Sequence, residues 1–198
     1  DKSFPKIRAL LRENPQMLHL LLQKLTDATI LHLNAQIRAG VQVVMLFDTW
    51  GGMLESDAQY ETFSLNYAKQ IFQALIREQE GRKVPVILFT KAGGQWISLM
   101  AESGCDVIGV DWQTSLQKAK LEVKNRVALQ GNMNPGILYE SEATIRNTVA
   151  KILEEYGSGS GHIFNLGHGI PQDVSPDHVA ILVDAVHTLS VPYHGERK

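Results

Sequence analysis

The sequence predicts an α/β fold built around a parallel β-sheet. Short apolar runs and longer segments of helical periodicity alternate five times along the chain, and this alternation is typical of βαβ units. The runs are almost continuously apolar, as expected of strands that are covered on both faces. Polar residues follow every run, usually with glycine close by. We therefore predict a parallel sheet whose strand ends share one edge.

The first forty residues precede the sheet and are predicted to be helical. Asn14 is a good N-cap, and Pro15 suits the first helical turn, where a missing N–H costs nothing. Apolar residues then recur at helical spacing up to Gly40, which stands where a C-cap glycine is expected. Further leucines widen the apolar stripe, so most of this helix is expected to pack against other elements.

Five strands and their connecting helices follow from the apolar pattern. The predicted strands are 41–47, 84–89, 106–110, 127–129 and 162–164. The predicted helices are 59–80, 95–103, 115–124, 142–156 and 176–190, the last two capped by Ser141 and Ser175. The glycine-rich segment 157–161 is too short to separate domains. Residues 1–198 are therefore predicted to form a single domain.

Composition argues against several classes of function. The formal net charge is −2 and no run of Lys or Arg occurs, so nothing favours binding to nucleic acid. No stretch approaches the roughly 18–20 apolar residues of a membrane span. Cys105 is the only cysteine, which rules out an internal disulfide and a site with several thiolate ligands. The common histidine spacings of zinc sites, a P-loop and a nucleophile elbow are also absent.

Polar residues at the five strand ends predict one shared cleft. The carboxyl ends of parallel strands are where α/β proteins place ligands, and glycine allows a backbone to come close to a ligand. One such loop is ordinary, but five at one edge favour a function. The segments are Phe47–Gly52, Phe89–Gly94, Gly109–Thr114, Leu129–Gly136 and Phe164–Gly169.

His168 is the strongest candidate in these segments, because it stands between two glycines and histidine titrates near neutral pH. Lys91 is also notable, since it directly follows an apolar run. Ordinary turn-forming or packing roles are open for the remaining candidates, which are Asp48, Thr49, Trp50, Asp111 and Trp112. Surface or packing roles are expected for the histidines on predicted helices, including His19, His32 and His187.

Five motifs together resemble the uroporphyrinogen decarboxylase family in its bacterial form. They occur in order and cover almost the whole chain, and the last two are the most specific. The motifs are Phe-Asp-Thr-Trp-Gly-Gly (47–52), Leu-Phe-Thr-Lys (88–91), Gly-Val-Asp-Trp (109–112), Leu-Gln-Gly-Asn-Met-Asn-Pro (129–135) and Phe-Asn-Leu-Gly-His-Gly-Ile (164–170).

The resemblance implies a cytoplasmic, homodimeric (β/α)8 TIM barrel that uses no cofactor and no metal. The implied reaction removes the four acetate carboxyl groups of uroporphyrinogen III, giving coproporphyrinogen III. The implied site residues are Thr49, which binds substrate, and His168, which binds substrate and takes part in catalysis.

The resemblance also implies that part of the barrel lies outside this chain. The family's N-terminal arginines, its main aspartate and its tyrosine have no matching position here. We therefore expect a partial TIM barrel, with about five of eight βα units. It would be the carboxyl-terminal portion of the barrel, and it would be inactive alone.

Two other functions remain open at this point. The layout also suits a zinc-dependent corrinoid or thiol methyltransferase of the same barrel superfamily, although a His-x-Cys motif is absent. Alternatively, the chain could be a non-catalytic barrel fragment that acts as a binding subunit, because five strands of a barrel leave two open edges. Within the decarboxylase, His168 could orient a carboxylate or transfer a proton.

Overall fold

The structure, a computed structural model, describes residues 4–193 and contains a parallel sheet of five strands. The strands lie side by side in the order of the chain, as successive units of a (β/α)8 barrel do. This arrangement confirms the predicted fold class, an α/β protein with five βα units of a partial barrel. The strands are β1 (Val44–Asp48), β2 (Val86–Thr90), β3 (Val107–Gly109), β4 (Ala128–Met133) and β5 (His162–Leu166).

The helices begin and end close to the predicted positions, with one exception. They are α1 (Pro5–Glu13), α2 (Pro15–Arg38), α3 (Asp57–Tyr60), α4 (Asn66–Ala74), α5 (Ile97–Met100), α6 (Leu116–Val123), α7 (Glu142–Tyr156) and α8 (Pro176–Leu189). A π-helical turn, Glu61–Leu65, joins α3 to α4. The predicted caps are confirmed: Asn14 accepts a hydrogen bond from the N–H of Met17, and Ser141 and Ser175 cap α7 and α8.

The predicted helix 59–80 is wrong at its end, because α4 stops at Ala74. Asn34 of α2 terminates it: its amide donates to the Ala74 carbonyl at 3.0 Å and accepts from the Ile76 N–H at 2.8 Å. The chain then forms a small antiparallel hairpin, Glu78–Gln79 with Arg82–Lys83, before β2. A contact from a distant helix, rather than the local pattern, sets this boundary.

The strand boundaries also differ from the prediction. β1 starts three residues late, at Val44, because the Val41 N–H still bonds to the carbonyl of Gln36 at the end of α2. β4 and β5 run further than expected, since Asn132 pairs with Asn165 and Met133 pairs with Leu166. Polar residues in these two strands were predicted to lie in loops.

The core lies between the sheet and the helices that cover its outer face. Leu88, Ile108 and Leu129, on three neighbouring strands, are almost completely buried against helical residues such as Met100 and Val149. Each strand therefore presents its alternate residues to the opposite, inner face. The loops at the carboxyl ends of the strands lie at the edge of that inner face.

Two sheet edges are open in the part of the chain that the structure describes. Within residues 4–193, β1 pairs only with β2, and β5 pairs only with β4. Apolar side chains are exposed at both edges, notably Phe47 and Ile163. The predicted pair of open edges is therefore confirmed. None of the described helices is both long and apolar enough to cross a membrane.

Candidate functional site

A cleft of about 620 Å³ opens on the inner face of the sheet and extends along β5 to α8. All five strands contribute to it, which confirms that the strand ends share one cleft. Aromatic and aliphatic side chains form most of its wall. Its polar side chains come from Thr49, Gln130, Asn165, His168 and His187.

His168 lies on this cleft with its imidazole oriented by its own loop. The Gly169 N–H donates to Nδ1 at 2.6 Å, so the neutral ring carries its hydrogen on Nε2. Aromatic rings flank it, with Trp112 at 5.7 Å and Phe89 at 6.2 Å between centroids. Within residues 4–193, Nε2 has no hydrogen-bond partner. The side chain can therefore donate one hydrogen bond to a ligand.

Thr49 follows β1 directly and lines the same cleft as His168. Its side chain is half-buried, and its hydroxyl has no hydrogen-bond partner in the described part of the chain. A turn-forming role would require such a bond to the backbone. The structure thus brings together the two residues to which the resemblance assigns substrate binding.

Asp48 is held in a buried hydroxyl network beside the cleft. It accepts hydrogen bonds from Ser64, on the π-helical turn, and from Thr90 at 3.2 Å, and Thr90 is in turn bonded to the Tyr60 hydroxyl at 2.9 Å. Burial raises the pKa of Asp48, although the two hydroxyl donors oppose this effect. The carboxylate faces a smaller pocket of about 300 Å³ next to α1 and α2, and it does not line the main cleft.

Asp111 is buried and joins neighbouring strand-end loops. Its carboxylate accepts from the Ala92 N–H at 2.6 Å, from the Gln113 N–H at 3.2 Å and from the Thr114 hydroxyl at 2.7 Å. Asn132 reinforces the same loop by donating to the carbonyls of Asp111 and Thr114. The turn-forming role that was open for Asp111 matches this geometry.

The strand-end glycines allow neighbouring loops to pack closely. A Cβ atom at Gly52 would lie 1.9 Å from the carbonyl oxygen of Lys91, and one at Gly167 would lie 2.3 Å from the backbone nitrogen of Trp112. We expected glycine here to admit a ligand, and for these two positions that expectation is wrong. The space they leave is already filled by the next loop. Gly169, in contrast, has open space around it.

Lys91 extends between two indole rings. Its Nζ lies 5.7 Å from the ring centroid of Trp50 and 6.0 Å from that of Trp112. Both distances are within the range of cation–π attraction. No residue between 4 and 193 forms an ion pair with it. The two tryptophans are therefore more than simple packing residues, and Trp112 connects Lys91 to His168.

The sequence did not identify His187 as a cleft residue, and it included Gln130 only as part of the strand-end segment Leu129–Gly136. His187 is exposed on α8 and lines the cleft, at helical spacing from Val179 and Val183. That spacing was the available signal. His19 matches its predicted packing role, since it stacks on Phe63 at 4.8 Å and bonds to the Tyr67 hydroxyl.

The described part of the chain contains no group of three or more His, Cys, Asp or Glu side chains that could hold a metal ion. The polar groups of the cleft are neutral amides, a hydroxyl and imidazoles. Such groups can bind an organic ligand through directional hydrogen bonds, while the apolar walls cover its rings.

Comparison with known proteins points to one family. Residues 1–189 match the family model described as uroporphyrinogen decarboxylase (URO-D). The uroporphyrinogen decarboxylase of Erwinia tasmaniensis is 58% identical over 98% of this chain and 54% of its own length. That of Proteus mirabilis is 55% identical over 99% of this chain and 55% of its own length. The chain thus spans about half the length of these curated relatives.

A solved structure, a methyltransferase from Methanosarcina mazei, has a similar fold. It superposes with a TM-score of 0.79 over 91% of this chain and 52% of its own length, at 21% identity. At that identity the likeness concerns the fold alone.

Proposed function

The chain belongs to the uroporphyrinogen decarboxylase family, and from this premise we propose that it forms part of a cofactor-free carboxy-lyase of haem biosynthesis. The proposed reaction converts uroporphyrinogen III to coproporphyrinogen III by removing its four acetate carboxyl groups. One observation carries the proposal: Thr49 and His168 line a single cleft, and neither the Thr49 hydroxyl nor the His168 Nε2 has a partner within residues 4–193.

The cleft has a composition that suits this substrate. Phe47, Phe89 and Phe164 contribute aromatic wall, which can cover pyrrole rings. Thr49 and His168 supply hydrogen-bond donors, which substrate carboxylates can accept. We assign both residues to substrate binding.

Decarboxylation of a pyrrole acetate requires an electron sink. Protonation of the ring provides it, because the electron pair of the breaking carbon–carboxyl bond then moves into the ring as carbon dioxide leaves. His168 would assist by donating its Nε2 hydrogen to a carboxylate, which holds the acetate in the reactive orientation. Transfer of that proton is the second role that this tautomer allows.

A carboxylate beside the pyrrole N–H groups would stabilise the protonated ring. Asp48 and Asp111 are poor candidates, since their oxygens already accept hydrogen bonds from hydroxyl and backbone groups. We propose that this carboxylate, and the arginines that bind further substrate carboxylates, belong to the part of the relatives that this chain does not cover.

We further propose that residues 1–198 form a single domain, the carboxyl-terminal portion of a TIM barrel. The two open edges, at β1 and β5, support this, since pairing with further strands would close them. The complete protein is proposed to be a cytoplasmic homodimer.

The test uses a chimera in which this chain replaces the matching segment of the Erwinia tasmaniensis enzyme. We expect the chimera to form coproporphyrinogen. His168→Asn should lower kcat/KM about 100-fold, which is typical of a lost acid–base or orienting group. Thr49→Val should lower it about tenfold, the cost of one hydrogen bond to a charged group. Steady-state kinetics with uroporphyrinogen III would measure both.

Two exposed residues provide matched controls, His32→Asn on α2 and Thr188→Val on α8, and both should leave the rate unchanged. Wild-type rates in the two cleft variants would refute the site assignment. An inactive chimera beside an active parent enzyme would refute the proposed function itself.

A further inference from the structure

We propose that Lys91 binds a carboxylate of the substrate beside the cleft and is held in position by the indole rings of Trp50 and Trp112. The inference rests on the proposed function and deepens it, because it names a further positioning residue for the same substrate. The resemblance assigns site roles to Thr49 and His168 and none to Lys91, although Lys91 lies within the matched residues 1–189.

Lys91 is a cation in a defined position. It immediately follows β2, and its Nζ lies 5.7 Å from the Trp50 centroid and 6.0 Å from the Trp112 centroid. A lysine side chain is normally flexible, and two aromatic faces restrict the positions it can adopt. Because the rings attract the ammonium group without carrying a formal charge, its positive charge is left available.

No acidic side chain neutralises this charge within residues 4–193. The two carboxylates on neighbouring strand ends, Asp48 and Asp111, accept hydrogen bonds from hydroxyl and backbone donors instead. Those donors, several of them from neighbouring elements, hold each carboxylate in place. The cation of Lys91 therefore remains uncompensated at the edge of the sheet where ligands bind.

Lys91 is also linked physically to the cleft. The ring of Trp112 that it contacts is the ring that packs beside His168, at 5.7 Å between centroids. A macrocycle with carboxylates around its rim can bind to His168 by one carboxylate and to a nearby cation by another. Among residues 4–193, the side chains that line the cleft itself include no lysine or arginine. Lys91 is thus placed to supply the positive charge that a polycarboxylate requires.

The experiment uses the same full-length chimera with Lys91→Met, which removes the charge, and Lys91→Arg, which keeps it. We expect Lys91→Met to raise KM for uroporphyrinogen III about tenfold while kcat changes less than about twofold. The KM of this variant should also depend less on salt concentration, because one screened attraction is lost. Lys91→Arg should restore most of the wild-type KM.

Lys151→Met removes a comparable charge from an exposed position on α7 and should change neither parameter. An unchanged KM in Lys91→Met would overturn the proposal. So would a lowered melting temperature that Lys91→Arg fails to rescue, since the lysine would then serve loop packing. A chimera that is inactive with Lys91 intact would instead refute the proposed function, and with it the substrate assigned to Lys91.

Discussion

Charged side chains have different partners at the two ends of the sheet. At the amino end, Asp106 directly precedes β3 and forms ion pairs with both Arg77 and Lys83. It also accepts from the Val86 N–H at 2.8 Å. Burial alone would raise the pKa of Asp106, but these donors and cations outweigh burial and hold the pKa below its ordinary value. The charges at this end are mutually compensated.

At the carboxyl end, the charged groups closest to the strand ends, Asp48, Lys91 and Asp111, form no ion pair with one another within residues 4–193. Asp48 and Asp111 are bound by hydroxyl and backbone donors, while Lys91 lies between indole rings. Burial raises the pKa of Asp48, the opposite of the shift at Asp106. In barrels of this kind the amino end contributes mainly to stability and the carboxyl end holds the active site. The arrangement of charges follows the same division.

Substitution of Gly167 should give the largest effect on stability, and it would show that the carboxyl end also depends on close packing. In Gly167→Ala the new methyl group would overlap the backbone of Trp112, at 2.3 Å from its nitrogen. Because the methyl group would overlap backbone atoms, which cannot move aside as a flexible side chain can, we expect a loss of about 3 kcal/mol in the free energy of unfolding. Urea denaturation of the chimera would measure it.

Gly169→Ala provides the control within the same loop, since a Cβ there meets nothing within 4 Å. Its stability should stay within about 0.5 kcal/mol of the wild type. Equal stability of the two variants would mean that the loops after β3 and β5 are not packed against each other as described.

Substitution of Asp106 should destabilise the protein without affecting the chemistry. Asp106→Asn leaves Arg77 and Lys83 without their carboxylate, so we expect a loss of about 2 kcal/mol in the free energy of unfolding. The values of kcat and KM should stay close to those of the wild type, because the ion pairs lie at the opposite end of the sheet from the cleft.

Glu80→Gln is the matched control, since it removes a carboxylate whose pairing with Arg82 is largely exposed. Its effect should be below about 0.5 kcal/mol. A strong loss of activity in folded Asp106→Asn would contradict the proposed division between the two ends.

Local signals predicted the elements better than their boundaries. The five apolar runs identified the five strands, because burial on both faces leaves a continuous apolar pattern. The end of α4 was missed, since Asn34 bonds to it from a helix some forty residues earlier in the chain. The extension of β4 through Asn132 was missed because a polar residue inside a strand has no signature in hydropathy.

The candidate site was predictable to a similar extent. Thr49 and His168 each follow a strand of one parallel sheet, which predicted that they share a cleft. The structure places both on the same cleft. The reason for the glycines was not predictable, because the contact at Gly167 is with a loop more than fifty residues away. The position of Lys91 between two tryptophans could not be predicted from the sequence either. Trp50 and Trp112 follow other strands and come close to Lys91 only in the folded chain.

The pH dependence of stability should give the smallest effect, and it compares the two ends directly. Both Asp48 and Asp106 have an ordinary pKa of 3.8, and the fold shifts them in opposite directions. The raised pKa of Asp48 makes its ionised form unfavourable in the folded state near neutral pH. That penalty should disappear as the pH falls through the folded pKa towards 3.8. The lowered pKa of Asp106 stabilises the folded state above 3.8, and this contribution should be lost only below that value.

Urea denaturation of the chimera between about pH 7 and pH 3, with Asp48→Asn and Asp106→Asn beside the wild type, separates the two contributions. The stability of the wild type relative to Asp48→Asn should rise as the pH falls towards 3.8. Its stability relative to Asp106→Asn should stay level over that range and then decline below 3.8. Differences from the wild type remove the titration of all other groups, so each curve reports on one end of the sheet. If both stability differences changed in the same direction as the pH falls, the cations beside Asp106 would not distinguish it from Asp48. The contrast between the two ends of the sheet would then not hold.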